Sequence, residues 1–328
     1  MANLRVGLLG IGSMGRHHAR VIRETPGMDL VAIADPGGDR FGVAKGLEVL
    51  PDVHALIDQK LDAAMVAVPT VYHEEAALAL AAAGVHTMVE KPIAHDVESG
   101  RRVAKAFADA NLIGAVGYVE RCNPALLAMR QKIQEGLLGQ IYQISTRRQS
   151  PFPARISDVG VVKDLATHDV DLAAWVAGST YEVVFAQTAY KSGREHEDMV
   201  TVSGRMANGV LVNHLVNWLT PFKDRTTIVT GEKGALVADT ALGDLTFYRN
   251  GTIPIEWTQV ANFRGVSEGE VTRFALEKRE PLRVEQENFR DAILGERNDH
   301  VSMAEGVRTL EVVQAILDAA AAGEARHL

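Results

Sequence analysis

RVGLLGIGSMGRHHA, residues 5–19, is the stretch that decides the fold. Val6, Leu8 and Leu9 form the apolar run of a buried strand. Gly10, Gly12 and Gly15 follow at the G-x-G-x-x-G spacing, and a helix-compatible segment comes directly behind them. Gly10 permits a sharp turn, Gly12 leaves room for a pyrophosphate against the backbone, and Gly15 lets the helix pack close to the strand. The helix N-terminus then turns unpaired N–H groups and a positive dipole end toward the phosphates, so Gly10, Ile11, Gly12, Ser13, Met14 and Gly15 are expected to hold a cofactor. A second apolar run, Leu30 to Ala34, ends in Asp35, twenty residues beyond Gly15, where a carboxylate binds a ribose 2′-hydroxyl. The glycine pattern alone is weak evidence. Strands on both sides and an acid at this distance favour a dinucleotide site over a plain glycine-rich turn. Asp35 repels a 2′-phosphate and Pro36-Gly37-Gly38 brings no cation, so NAD is expected rather than NADP, with Arg40 the nearby cation that argues the other way.

Outward from that turn, short apolar runs alternate with helical patterns. Strands are expected at 4–9, 29–34, 63–68, 85–90 and 112–117, with helices near 14–24, 39–47, 72–83 and 96–109. Repeated β-α units with buried-looking strands give a parallel sheet covered on both faces, an α/β doubly wound domain over residues 1–121. Ligands of such sheets sit outside the carboxyl ends of the strands. The residues there are Gly10, Asp35, Pro69-Thr70, Glu90-Lys91-Pro92 and Tyr118.

After about residue 121 the pattern changes. A helix from Pro124 to about Glu135, a strand from Ile141 to Arg148, a proline-stiffened loop at 150–155 and a helix over roughly 160–176 precede β runs at 181–190, 197–206, 209–219, 225–231 and 235–248. Helical patterns at 284–294 and 304–322 close the chain. Runs of strands after an alternating segment predict a second, α+β domain over 122–328 with a mostly antiparallel sheet. Within 210–219 one parity (Val210, Val212, His214, Val216, Trp218) suits a core; the other (Leu211, Asn213, Leu215, Asn217, Leu219) suits solvent or a subunit interface.

The 328 residues suffice for two domains. With 34 Lys+Arg against 42 Asp+Glu, the net charge of −8 argues against nucleic acid or an anionic membrane as a general partner. The one cysteine, Cys122, forms no intrachain disulfide and no basic, apolar leader precedes the first strand, so a reducing cytoplasm is expected. The most apolar helical run, Ala76 to Val85, is too short to span a bilayer.

Three places could carry chemistry. Lys91, between Glu90 and Pro92 at a strand end, faces the cofactor cleft if the fold is right; a solvated surface lysine is the plainer reading. Asp164 and His168 are four residues apart in KDLATHDVD and share a helix face, with Asp171 three residues further on. An aspartate that orients a histidine makes a base for an alcohol proton, against the alternatives of a polar surface helix or a metal site. Spacing suggests no third ligand, so no metal is expected. Arg147, Arg148, Arg155, Lys163, Lys223 and Arg225 form a basic group in an acidic chain, either ordinary surface or a seat for a diphosphate. Cys122 reads as packing, and His17 and His18 as support for the turn.

The chain resembles the Gfo/Idh/MocA oxidoreductases. GIGSMGRHHA (10–19), ADP (34–36), VAVPTVYH (66–73), VEKPIA (89–94), VGYVERCNPA (116–125) and DLATHDVDL (164–172) carry the likeness, in order, up to about residue 180. The resemblance implies an N-terminal Rossmann domain, a C-terminal open-faced sheet and hydride transfer on a sugar or polyol; the leucines of the half-polar parity of 210–219 are what point to association of copies through that sheet into a dimer or tetramer. It matches Lys91 to the lysine of an EKP motif, and Asp164 and His168 to a catalytic D-x-x-x-H pair. It adds Pro69, Thr70, His73, Glu90 and Lys91 to the expected cofactor contacts, and Tyr118, Arg121, Asn123, Arg148, Arg155 and Lys163 to the expected substrate contacts. ERCNPA, RRQSPFPARISDVGVVKDLATHD and NWLTPFKDRTTIVTGEKG look more narrowly like a branch of UDP-N-acetylglucosamine 3-dehydrogenases. The alternatives are a free-sugar or inositol dehydrogenase and a dinucleotide-sensing regulator.

Overall fold

In the computed structural model, residues 3–153, 159–251 and 267–328 are described. The chain forms two compact units, Met1–Cys122 with Glu280–Glu311, and Asn123–Arg279 with Val312–Leu328. The first contains a six-stranded parallel sheet of β1 (Leu4–Leu9), β2 (Met28–Ala34), β3 (Val49–Leu50), β4 (Ala63–Val66), β5 (His86–Glu90) and β6 (Gly114–Gly117). Its order, β3-β2-β1-β4-β5-β6, reverses at β1. Such a reversal leaves a crevice at the carboxyl end of β1, where the glycine turn lies. The strands are buried on both faces, as their apolar runs predict: Val6, Leu8, Ile33, Met65 and Met88 share one core with Ile22 of α1 (Gly15–Glu24).

One sequence expectation fails locally in this unit. Residues 39–47 are turns rather than a helix, because Asp39 accepts hydrogen bonds from the Val43 and Ala44 N–H groups (2.7 and 2.8 Å), and Gly42, Lys45 and Gly46 have positive φ. A short helix, α2 (Val53–Ile57), forms instead, capped by Asp52 accepting from Ala55 N–H at 2.9 Å. Helices α3 (His73–Ala82) and α4 (Val97–Asp109) lie where expected.

The division at residue 121/122 is also corrected. Glu280–Glu311 groups with the first unit because the Pro281–Ile293 helix buries Phe289 in the same core as Leu8 and Ile33, and Gln286 reaches His18. Polar links follow the same path: Arg290 donates to the Pro26 carbonyl at 2.5 Å, and Arg121 pairs with Glu305 at 2.8 Å.

The second unit, which includes β8 (Tyr181–Ala189) and β9 (Met199–Met206), carries a nine-stranded sheet of order β14-β13-β12-β11-β7-β10-β9-β8-β15. Its central strands are β7 (Ile141–Gln149), β10 (Leu211–Asn217) and β11 (Asp224–Gly231). Pairing is antiparallel except between β7 and β10. The run expected as one strand at 235–248 is two, β12 (Gly234–Asp239) and β13 (Asp244–Gly251), joined where Asp239 accepts from Ala241 and Leu242 N–H. Strands β14 (Ser267–Phe274) and β15 (Arg326–His327) were not foreseen. On β10, Val212, His214 and Val216 are buried, and so are Val210 and Trp218 beside it. Helices α5 (Pro124–Gln134) and α6 (Thr167–Ala177) cover that face. Tyr142, Phe185, Leu211 and Val271 are exposed, so the sheet is open-faced.

Candidate functional site

The glycine turn of the first unit has the geometry its spacing predicts. Gly10 has φ +88°, and a Cβ there would lie 2.7 Å from the Ala67 carbonyl oxygen. A Cβ on Gly15 would collide with the Gly10 carbonyl oxygen, so helix and strand touch through that glycine. Gly12 differs: a Cβ there would meet no atom within 4 Å. It borders a cavity of about 650 Å³ lined also by Gly10, Ile11, Ser13, Asp35 and Pro69. Backbone N–H groups, a helix N-terminus and open space beside Gly12 fit a pyrophosphate. Asp35 is fixed from both sides, Oδ2 accepting from Ile11 N–H at 2.8 Å and Oδ1 from Gly37 N–H at 2.7 Å. Its carboxylate thus stands on the cavity wall, where a ribose hydroxyl can donate to it.

Sequence reasoning missed Phe41, Val68 and Tyr72 on the same wall. Val68 and Tyr72 flank Pro69-Thr70 and were within reach of the strand-end rule. Phe41, with the Arg16 guanidinium 5.3 Å above its ring, was hidden by the helix expected at 39–47. Of the remaining expected cofactor residues, Met14 starts α1, its carbonyl accepting from His17 and His18 N–H, and Thr70 opens a short 3₁₀ turn. His73 is turned inward. Its Nδ1 lies 2.8 Å from the Pro92 carbonyl and its Nε2 2.9 Å from the Val68 carbonyl, and burial lowers its pKa from the ordinary value. It therefore shapes the cavity through those two loops, rather than lining it.

Lys91 follows β5 at the carboxyl edge of the sheet and is half-buried; the Lys91–Pro92 peptide is cis. Glu90 Oε2 accepts from Lys91 N–H at 3.2 Å, and Glu90 Oε1 lies 2.7 Å from His18 Nε2. Burial pushes the Glu90 carboxyl up, but the His18 hydrogen bond, with the nearby Lys91, outweighs it and holds the pKa below the usual value.

In the second unit, the helix expected over 160–176 begins as a π-helical turn, Val162–Ala166, which contains Asp164; His168 lies in the first turn of α6. Single π turns inside helices recur at functional sites. Glu197 anchors this one, its carbonyl and Oε1 accepting from Val161 and Val162 N–H at 3.0 and 2.9 Å. Asp164 is buried, and His168 and Lys163 are half-buried.

Several expected substrate contacts are engaged internally instead. Arg148 is buried and donates to Asp169 Oδ2 at 2.9 Å. Arg121 is buried against Glu305, whose carboxyl burial would raise but whose pairing with Arg121 brings down to about 2. Asn123 caps α5, accepting from Ala125 N–H at 3.1 Å, and donates to the Thr240 carbonyl at 3.0 Å. Tyr118 is buried. The common reason is that a buried charge or amide must be paired, and its partner lies far off in sequence. Arg155 lies outside the described residues. Cys122 is buried, its thiol pushed well up, largely by burial. Among the described residues no group of three or more His, Cys, Asp or Glu could hold a metal, and no helix is long and apolar enough to cross a membrane.

Comparison with known proteins accords with this arrangement. UDP-N-acetylglucosamine 3-dehydrogenase of Acidithiobacillus ferrooxidans is 28% identical over 330 residues, 99% of each chain. Its solved structure superposes with a TM-score of 0.86 at 26% identity, covering 98% of this chain and 99% of that one. Inositol 2-dehydrogenase of Rhizobium meliloti is 28% identical over 255 residues, 72% of this chain and 76% of that one. A structure titled putative myo-inositol dehydrogenase, from Sinorhizobium meliloti, gives a TM-score of 0.81 at 26% identity over 99% of each chain. Residues 4–118 match the profile described as oxidoreductase family, NAD-binding Rossmann fold, and residues 126–237 match the C-terminal domain profile of the same family. With a glycine turn, an acid on the cavity wall and an open-faced second sheet in the places those profiles cover, the chain belongs to the GFO/IDH/MocA family of NAD-binding oxidoreductases.

Proposed function

We propose that this NAD-dependent dehydrogenase oxidises a ring hydroxyl of a UDP-N-acetylhexosamine, with C3 of UDP-N-acetylglucosamine the leading case. One observation carries the reading: the likeness to the Acidithiobacillus enzyme runs through 99% of both chains. The Gly10–Gly15 turn would hold the pyrophosphate of NAD and Asp35 a ribose hydroxyl. The bound nicotinamide supplies the hydride acceptor. His168, supported by Asp164, takes the hydroxyl proton as the alcohol becomes a ketone, and the Lys91 ammonium stabilises the negative charge that develops on that oxygen. Asp35 on the cavity wall disfavours the 2′-phosphate of NADP.

A neutral polyol is the second reading. The engagement of Arg148 in an internal ion pair favours it, because Arg148 was a candidate to meet a diphosphate. Purified protein with NAD and separate samples of UDP-N-acetylglucosamine, free N-acetylglucosamine and myo-inositol decides between them by formation of reduced nicotinamide. Turnover of the UDP-sugar alone supports the first reading, and turnover of myo-inositol alone the second. The exposed Tyr142, Phe185 and Leu211 also suit a second copy against the open sheet; light scattering at micromolar concentration should give a mass of two or four chains.

A further inference from the structure

Behind Glu90 and Lys91 lies a polar cluster that the proposed chemistry does not use. His18, on α1, is buried with both ring nitrogens engaged: Nε2 is 2.7 Å from Glu90 Oε1, and Nδ1 is 3.0 Å from Nε2 of Gln286, a fully buried residue of the Pro281–Ile293 helix. With the Gln286 nitrogen facing it, Nδ1 of His18 accepts, which puts the ring proton on Nε2, directed at Glu90; Gln286 Oε1 has no hydrogen-bond partner among the described residues. Glu90 in turn accepts from Lys91 N–H. The neighbour of Gln286, Glu285, is buried, and among the described residues neither of its carboxyl oxygens has a hydrogen-bond partner. Burial, and after it the nearby Glu90, raise its pKa well above the usual value. A histidine supporting a helix turn needs none of this. An imidazole restricted to one tautomer between an amide and a carboxylate is the arrangement that orients an acceptor.

We propose that Gln286 and His18 are positioning residues for the lysine: Gln286 fixes His18 as the neutral Nε2–H tautomer, and His18 fixes the Glu90 carboxylate that holds the Lys91 backbone. This rests on the reading of Lys91 as catalytic, and adds to it a residue brought in from 195 positions later in the chain.

The first test needs no substrate. In a histidine-ring ¹⁵N spectrum of the whole protein, with His18 assigned by its loss in His18→Gln, the structure requires an unprotonated Nδ1 and a protonated Nε2. In Gln286→Met the Nδ1 resonance should move toward the protonated position as the tautomers mix. A wild-type His18 protonated at Nδ1, or a spectrum unchanged in Gln286→Met, overturns the proposal. The second test is kinetic, with NAD and whichever of UDP-N-acetylglucosamine or myo-inositol is turned over. His18→Leu should lower kcat about 100-fold and Gln286→Met about tenfold, each with KM for NAD changed less than about threefold, effects within the range for positioned catalytic groups. His18→Gln, which keeps an amide donor for Glu90, should recover all but about fivefold. Adding Gln286→Met to His18→Gln should then cost nothing further, whereas a purely structural glutamine would cost the same in both backgrounds. Lys91→Ala separates the two failures: normal turnover there defeats the reading of Lys91, while a dead Lys91→Ala beside a normal His18→Leu defeats only the positioning proposal.

Discussion

The glycine turn of the first unit and the polar side chains of the second are held in opposite ways. In the first, the glycine turn of the cavity is made of backbone: Gly10, Gly12 and Gly15 set its shape, and Asp35 on the same wall is held by two backbone N–H groups. In the second, side chains that sequence spacing marks as available for a ligand are drawn into the interior, Arg148 by Asp169 and Asn123 by the start of α5. A backbone cradle can be read from a fifteen-residue motif because its cause is local. Whether a polar side chain is free to meet a ligand depends on partners that only the fold brings together.

The largest expected effect tests whether each unit supplies a catalytic group. Lys91→Ala and His168→Ala should each lower kcat by about 10²–10⁴-fold, while NAD titration shows affinity within a few fold of wild type. Should only one of them matter, the chemistry belongs to one unit.

Next comes the internal use of polar groups in the second unit. Arg148→Met leaves Asp169 buried without its ion-pair partner and should destabilise that unit by about 3–5 kcal/mol in urea unfolding. If Arg148 instead serves a ligand, stability will hardly change and substrate KM will rise.

The glycines sharpen the first half of the comparison. Gly15→Val forces a side chain into the Gly10 carbonyl and should cost about 3 kcal/mol of stability. Gly12→Ala has open space on its side, so its melting temperature should match wild type while NAD binding weakens at least about tenfold, equivalent to about 1.4 kcal/mol. Equal losses of stability at both positions would mean that the cavity beside Gly12 is not where the phosphates lie.

A pH-dependent effect concerns a buried network of the second unit. His214 lies between Thr146 Oγ1 and Tyr181 OH, at 2.8 and 2.9 Å, and burial lowers its pKa from 6.5 to about 4. The unfolded chain binds a proton there below about pH 6.5, which the folded chain refuses until about pH 4. Stability due to this group is therefore complete above pH 6.5 and is lost as the pH falls to about 4, by up to about 3 kcal/mol. Unfolding curves across that window should be steeper in wild type than in His214→Phe.

The same contrast explains what could be read from the sequence. The strand–turn–helix at 5–19, the alternation of β and α up to residue 117 and the buried parity of 210–218 are local patterns, and the structure follows them. The supposed helix at 39–47 failed because one aspartate side chain, not periodicity, organises that loop. The return of Glu280–Glu311 to the first unit, and with it the contact of Gln286 with His18, has no signature short of the fold itself: Phe289 looks like any other apolar residue of a helix until its core is known. Arg148 looked like a diphosphate ligand, and Arg121 like a substrate contact, for the same reason, because Asp169 and Glu305 could not be assigned to them from spacing.

The central claim is that the carbon bearing a sugar hydroxyl gives its hydride to NAD held by the glycine cradle. Its most direct test is a single turnover of NAD with UDP-N-acetylglucosamine deuterated at C3, followed by mass analysis of the nicotinamide product. The account predicts one deuterium on the reduced nicotinamide, and none when His168→Ala is used for the same time. Reduced nicotinamide without deuterium would contradict the assignment of C3, and no reduced nicotinamide with the UDP-sugar or with myo-inositol would contradict the dehydrogenase reading itself.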